Sequence, residues 1–195
     1  YRSPNFLYRA PGTENLALLL RNYRLSDDIA FRFNNRTWAE WPLTAEKFAR
    51  WVNQVNGNGY AVNLFMDYET FGEHQPAETG IFDFFRQLPQ EILKHPDNDF
   101  KTPSEVLDTY PISGEYDVPH MISWADTERD LSAWLGNAMQ SNSLHELYRM
   151  ENEIKASGHA ELLRDWRRLQ ASDHFYYMCT KHFADGDVHR YFSAY

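Results

Sequence analysis

The stretch Tyr60-Ala61-Val62-Asn63-Leu64-Phe65-Met66 is an apolar run that passes without a break into Asp67-Tyr68-Glu69-Thr70-Phe71-Gly72-Glu73-His74. A short run of this kind reads as a buried strand, here ending on two carboxylates spaced i and i+2. If the strand continues through them, both acids project to the same side. Carboxylates at the carboxyl end of a core strand are expensive unless they pair, face a cleft or do chemistry. The bland reading is an acidic turn closing a strand, and spacing alone weighs the two readings equally.

The surrounding sequence alternates strand-like and helix-like signals. Leu16-Ala17-Leu18-Leu19-Leu20 suits a buried strand or short helix, and Ser26-Asp27-Asp28 marks a helix start before Ile29-Ala30-Phe31. Thr44 can cap a helix whose Phe48, Trp51 and Val52 form an i, i+3, i+4 core stripe. Gly57-Asn58-Gly59 reads as a loop, and Thr79 opens a helix packed through Ile81, Phe82, Phe84, Phe85 and Leu88. Pro89 either kinks that helix or begins another. Thr102-Pro103-Ser104-Glu105 has capping-box spacing with Pro at the first helical position, and Glu115-Tyr116-Asp117-Val118 reads as a short strand. This is the α/β pattern. From Asp126 onward strand signals nearly vanish. Segments 127–140, 143–156, 159–171 and 173–182 read as helices, with a second capping box at Ser143-Leu144-His145-Glu146 and a break at Gly158.

Among the 195 residues, 43% are hydrophobic and 16% aromatic, which is globular rather than disordered. Most of the six Trp, twelve Tyr and thirteen Phe belong to core, yet a surplus of rings also suits the apolar C–H faces of sugars. A formal net charge of −9 argues against a nucleic-acid partner. The single Cys179 excludes an internal disulfide and, in its aromatic surroundings, reads as a buried structural thiol. No apolar run reaches membrane-spanning length, so no membrane association is expected. No signal peptide is visible, which is uninformative in a chain that starts without an initiator Met; a cytoplasmic location is the expectation. The sequon Asn35-Arg36-Thr37 reads as a chance match.

Asp67-Tyr68-Glu69-Thr70-Phe71-Gly72 resembles the fourth conserved region, Asp-x-Glu-x-Phe-Gly, of glycoside hydrolase family 57. That family comprises α-amylases, 4-α-glucanotransferases and branching enzymes. Trp124-Ala125-Asp126-Thr127-Glu128-Arg129-Asp130-Leu131-Ser132-Ala133-Trp134-Leu135-Gly136-Asn137 resembles the fifth region of its α-amylase-like branch. Arg2-Ser3-Pro4-Asn5-Phe6-Leu7-Tyr8 is similar to the segment after the third region. Ser172-Asp173-His174-Phe175-Tyr176-Tyr177-Met178 and Val188-His189-Arg190-Tyr191-Phe192-Ser193 are similar to the helical C-terminal part. The resemblance implies part of an incomplete seven-stranded (β/α) barrel over residues 1–122, followed by a helical bundle over 123–195. The family's first region, His-Gln-Pro, and its third region, which carries the nucleophilic Glu, both precede the Arg-Ser-Pro-Asn segment. No Glu of this chain is assignable as nucleophile by motif, and the chain by itself is expected to be inert and aggregation-prone. His74-Gln75-Pro76 spells the first-region motif but follows the fourth, so it reads as a coincidence of spelling.

The resemblance implies a retaining glycosidase acting on α-1,4-glucans such as starch, glycogen or maltodextrin. Such enzymes use two carboxyls roughly 5–5.5 Å apart, one attacking the anomeric carbon and the other serving as acid and then base. Asp67 takes the acid/base role, and a nearby anion with partial burial would raise its pKa. Glu69 either tunes Asp67, binds sugar hydroxyls, or is a structural carboxylate on the turn. His74 either lines the cleft or caps the following loop. In the fifth region Asp130 and Trp134 fall at i and i+4 on one helical face and are implied to bind substrate, with Trp124 and Asp126 just before them. Asp126 is otherwise a helix N-cap, Glu128 and Arg129 a solvated pair, and His120 has no assigned role. Asp67, Glu69, His74, His120, Asp126 and Asp130 can be drawn as metal ligands, but HExxH, CxxC and paired-His spacings are missing, so neither metal nor cofactor is expected. Patterns for a nucleophilic Ser or Cys are likewise missing. The alternatives are a 4-α-glucanotransferase of the same family and a glucan-binding protein without catalysis.

Overall fold

The computed structural model describes residues 2–123 and 128–181. Trp124, Asp126 and the segment 188–193 lie outside the described residues. The chain divides into two compact units, Tyr1–Asp117 and Val118–Tyr195. The first is mixed α/β and the second is helical among its described residues.

The first unit carries a three-stranded sheet of order β2-β1-β3, formed by β1 (Leu7–Arg9), β2 (Ala17–Leu19) and β3 (Ile112–Glu115). β1 pairs antiparallel with β2 and parallel with β3. The last strand was expected over 115–118 and instead ends at Glu115. A register irregularity between Leu7 and Arg9 accommodates Gly114, whose φ of 155° suits a glycine at a bulge. Beside the sheet, α1 (Tyr23–Ala30), α2 (Ala45–Asn53) and α3 (Ile81–Ile92) enclose one apolar core. Leu25, Ile29, Phe33, Phe48, Ile81, Phe84 and Leu88 are buried there, with Trp51 and Val52 packed against them. Phe82 and Phe85, expected in that packing, are exposed. Pro89 lies inside α3, which carries on to bond Leu93 N–H to the Pro89 carbonyl at 3.0 Å.

Caps decide where these helices begin. Thr44 accepts from Lys47 N–H, and Thr102 with Glu105 closes a reciprocal capping box on α4 (Pro103–Thr109), both as the sequence predicts. α1 starts earlier than expected. Asn22 is its N-cap, accepting from Leu25 N–H at 3.1 Å, while Ser26 sits inside the helix and its hydroxyl accepts from Phe65 N–H at 3.2 Å. Asn22 is buried, and its Nδ2 also donates to Asn5 Oδ1 at 3.0 Å. Asn22→Ala is therefore expected to lower stability by about 1–2 kcal/mol, read as a shifted urea midpoint; an unchanged midpoint would contradict the cap.

Residues 60–66 require a correction. Val62, Leu64 and Met66 pack on the helical core, as alternation demands. Yet the segment joins no ladder among the described residues. Its main chain is met piecemeal: Tyr60 and Ala61 N–H donate to the Asn5 carbonyl, Asn22 N–H donates to the Asn63 carbonyl, and Arg21 Nε donates to the Phe65 carbonyl. Contacts from scattered residues satisfy the backbone without making a neighbouring strand.

In the second unit, α5 (Ser132–Leu135), α6 (Ala138–Arg149), α7 (Glu151–Ser157), α8 (Ala160–Arg168) and α9 (Ser172–Tyr176) bury Leu147, Ile154, Trp166 and Phe175 together. The helix breaks fall at Gly136-Asn137 and Met150 rather than near residues 141 and 157 alone. Asn137 and Gln140 form the capping box of α6, so Ser143 and Glu146 lie inside that helix and the box expected there does not form. Cys179 is buried. Among the described residues no helix is long and apolar enough to cross a membrane.

Candidate functional site

The acid-bearing sequence is placed by a pinned turn, not by strand alternation. The chain leaves extended geometry at Asp67 (φ −71°, ψ 150°) and enters a 3₁₀ turn over Tyr68–Thr70. Thr70 N–H donates to the Asp67 carbonyl at 3.1 Å. The Glu69 carbonyl accepts from His74 N–H at 2.9 Å and Glu73 N–H at 3.2 Å. Gln75 N–H donates to the Thr70 carbonyl at 3.0 Å, and Gly72 N–H donates back to the Gln75 carbonyl at 3.1 Å. Gly72 makes this closure with φ 117°, a value that a side chain would strain.

Residue types sort by direction along this turn. Thr70 and Gln75 are buried, and Phe71 packs on the apolar core and on the Phe85 ring, centroids 4.8 Å apart. Asp67, Tyr68, Glu69 and His74 are exposed. Anchors are buried and the titratable groups are exposed, so the turn presents the carboxylates of Asp67, Glu69 and Glu73 and the His74 imidazole on a base held by main-chain bonds. Asp67, expected to be partly buried, is on the surface of its unit. Glu69 contributes its carbonyl, rather than its carboxylate, to the bonding of the turn. The sequence reading passed over Tyr68, which falls between the two acids in sequence and is 96% exposed. Only coordinates supply that exposure, because aromatic content by itself reads as core.

Asp130 and Trp134 belong to the second unit. The Asp130 carboxylate accepts from Ser132 N–H at 2.8 Å and from the Ser132 hydroxyl, at the entry to α5. These bonds, with Lys181 nearby, hold Asp130 below the ordinary carboxylate range. Their stabilisation is complete above that range and is lost as pH falls through the depressed pKa. Lys181 also pairs with Glu128 at 3.3 Å, where the sequence reading paired Glu128 with Arg129. Trp134 is half-buried, packed against the Leu147–Trp166 core and tilted on Tyr176 with centroids 5.5 Å apart. His120 is exposed. Among the described residues no three His, Cys, Asp or Glu side chains are grouped so as to hold a metal ion.

Comparison with known proteins bears on the whole of this arrangement. The model of glycosyl hydrolase family 57 matches residues 1–119, which contain the entire 67–75 turn. The chain belongs to glycosyl hydrolase family 57. A protein of Methanocaldococcus jannaschii named "Putative alpha-amylase" is 47% identical to this family member over 99% of its length. The chain spans 43% of the length of that relative. No solved structure matches it. The Asp67 turn lies inside the matched region.

Proposed function

We propose that the full-length protein is a retaining glycoside hydrolase of α-amylase type, acting on α-1,4-glucans such as starch, glycogen or maltodextrin, with Asp67 as its acid/base. The observation that carries this reading is the 67–75 turn, which fixes its backbone through the buried Thr70 and Gln75 and carries Asp67 at the surface of its unit. A nucleophilic carboxylate contributed from outside this chain attacks the anomeric carbon while Asp67 protonates the glycosidic oxygen. Asp67 then removes a proton from water, which releases the sugar with its configuration retained. If a sugar hydroxyl replaces water, the same chemistry is a 4-α-glucanotransferase. Glu69, His74, Trp124, Asp126, Asp130 and Trp134 bind sugar in this reading, and the exposed Tyr68 ring offers a face to its C–H groups.

Residues 1–122 would form the C-terminal portion of an incomplete seven-stranded (β/α) barrel, and 123–195 a helical bundle. The parallel pairing of β1 with β3, with helices between them in sequence, supports that assignment. A neutral glucan is indifferent to the charge of −9, which disfavours nucleic acid.

The test is proton NMR of a maltooligosaccharide digest by the full-length protein. The first product is expected as the α-anomer. A β-anomer would overturn retention, products longer than the substrate would make the enzyme a transferase, and binding without turnover would make it a glucan-binding protein.

A further inference from the structure

The residue that this function leaves unused is Gln75, the middle of His74-Gln75-Pro76. It is 4% exposed, and its Nε2 donates to the Ala30 carbonyl at 2.9 Å across 45 residues of sequence. Ala30 is the last residue of α1, so its carbonyl belongs to the final turn, where no intrahelical donor remains. The next two N–H groups, of Phe31 and Arg32, turn back to the Asp27 carbonyl instead. The main chain of Gln75 holds the acid-bearing turn from both sides, donating to the Thr70 carbonyl and accepting from Gly72. Thr70 in turn donates to the Asp67 carbonyl. A continuous run of bonds therefore leads from the end of α1 through Gln75 and Thr70 to Asp67.

The other half of the amide is left over. Gln75 Oε1 is buried and has no hydrogen-bond partner among the described residues. A buried acceptor without a donor destabilises; Met would remove that cost but would leave the Ala30 carbonyl without its donor. What Met cannot do is donate to Ala30. We propose that Gln75 is a positioning residue for the reaction: its amide locks the 67–75 turn onto α1 and so fixes where the Asp67 carboxyl meets the glycosidic oxygen. The proposal rests on Asp67 being the acid/base.

The experiment uses the full-length protein with a maltooligosaccharide substrate. Gln75→Met should lower kcat by about 10²-fold, the scale of a small misplacement of a reacting group. KM should stay unchanged, and the thermal midpoint should move little, because removing the unpaired Oε1 offsets the loss of the donor to Ala30. Gln75→Leu, which likewise cannot donate to Ala30, should lose kcat alike. Because Gln75 acts through Asp67, adding Gln75→Met to Asp67→Asn should cost nothing further. Wild-type kcat in Gln75→Met overturns the proposal. So does a double variant in which the two losses multiply, or a loss of the folded state in both Gln75 variants. A wild-type protein without turnover defeats the glycosidase reading itself, and an active Asp67→Asn defeats the acid/base assignment; neither result is mimicked by an idle Gln75.

Discussion

Asp67→Asn in the full-length protein is expected to lower turnover on α-glucans by about 10²–10⁴-fold, the usual worth of a positioned proton donor and acceptor. Asn keeps the shape of Asp, and Asp67 is exposed at the start of a turn held by the main chain of Thr70, Gly72 and Gln75. The fold should therefore survive, and far-UV circular dichroism with an unchanged thermal midpoint would establish that it does. What the amide cannot do is pass a proton to the glycosidic oxygen. That makes the size of the loss depend on the leaving group. A natural glucan leaves as a poor alkoxide and needs the acid. An aryl glycoside with an acidic phenol does not, so the first chemical step on such a substrate should be largely spared. An equal loss on both substrates would mean that Asp67 binds rather than transfers protons, and a variant with wild-type turnover on maltooligosaccharides would end its candidacy.

How far this arrangement was legible in the sequence depended on whether the signal was local. Thr44 and Thr102 were readable because an N-cap bonds two or three residues away within its own helix. The apolar stripe of α2 was readable for the same reason. Residues 60–66 were half legible. Their alternation correctly places Val62, Leu64 and Met66 on the core, but ladder pairing depends on what lies beside them, and that is the scattered set of Asn5, Asn22 and Ser26. Ser26 looked like a cap because Ser-Asp-Asp is cap chemistry, yet its hydroxyl serves Phe65 and the cap passes to Asn22. The pattern Asp-x-Glu-x-Phe-Gly located the candidate site. It did not distinguish the residues that hold the turn from those that the turn displays. Gln75 anchors through a partner in another helix, 45 residues away, and no local pattern encodes such a bond.

Gln140 is the same lesson in the second unit, and there it carries the largest expected effect on stability. It is fully buried and every polar atom of its side chain is used. Oε1 accepts from Gly136 N–H at 2.9 Å and Asn137 N–H at 3.1 Å, which completes the capping box of α6. Nε2 donates to the Ala133 carbonyl at 2.7 Å, in α5, and to the Phe175 carbonyl at 2.9 Å, in α9. One side chain thus ties three helices together through backbone groups that water does not reach. Ala133 is buried, so Gln140→Leu would leave its carbonyl without this donor, at about 1–3 kcal/mol. The Phe175 carbonyl would keep Met178 N–H, at 3.1 Å. With the Oε1 cap of α6 lost as well, the expected destabilisation is about 2–5 kcal/mol, a large share of the total that a domain of this size holds. Gln140→Glu separates the two halves of the network. It keeps the acceptor for Gly136 and Asn137 but sets a carboxylate against the two carbonyls, so it too should be strongly destabilising even though the helix cap survives. Urea unfolding followed by tryptophan fluorescence measures both, since Trp134 and Trp166 lie in this core. If Gln140→Leu unfolds at the wild-type midpoint, the bonds from Nε2 do not hold the helices together, and the second unit rests on its apolar contacts alone. If Gln140→Glu is harmless while Gln140→Leu is not, the cap matters and the ties to α5 and α9 do not. Loss of stability in both places the weight on the buried carbonyls, where the geometry puts it.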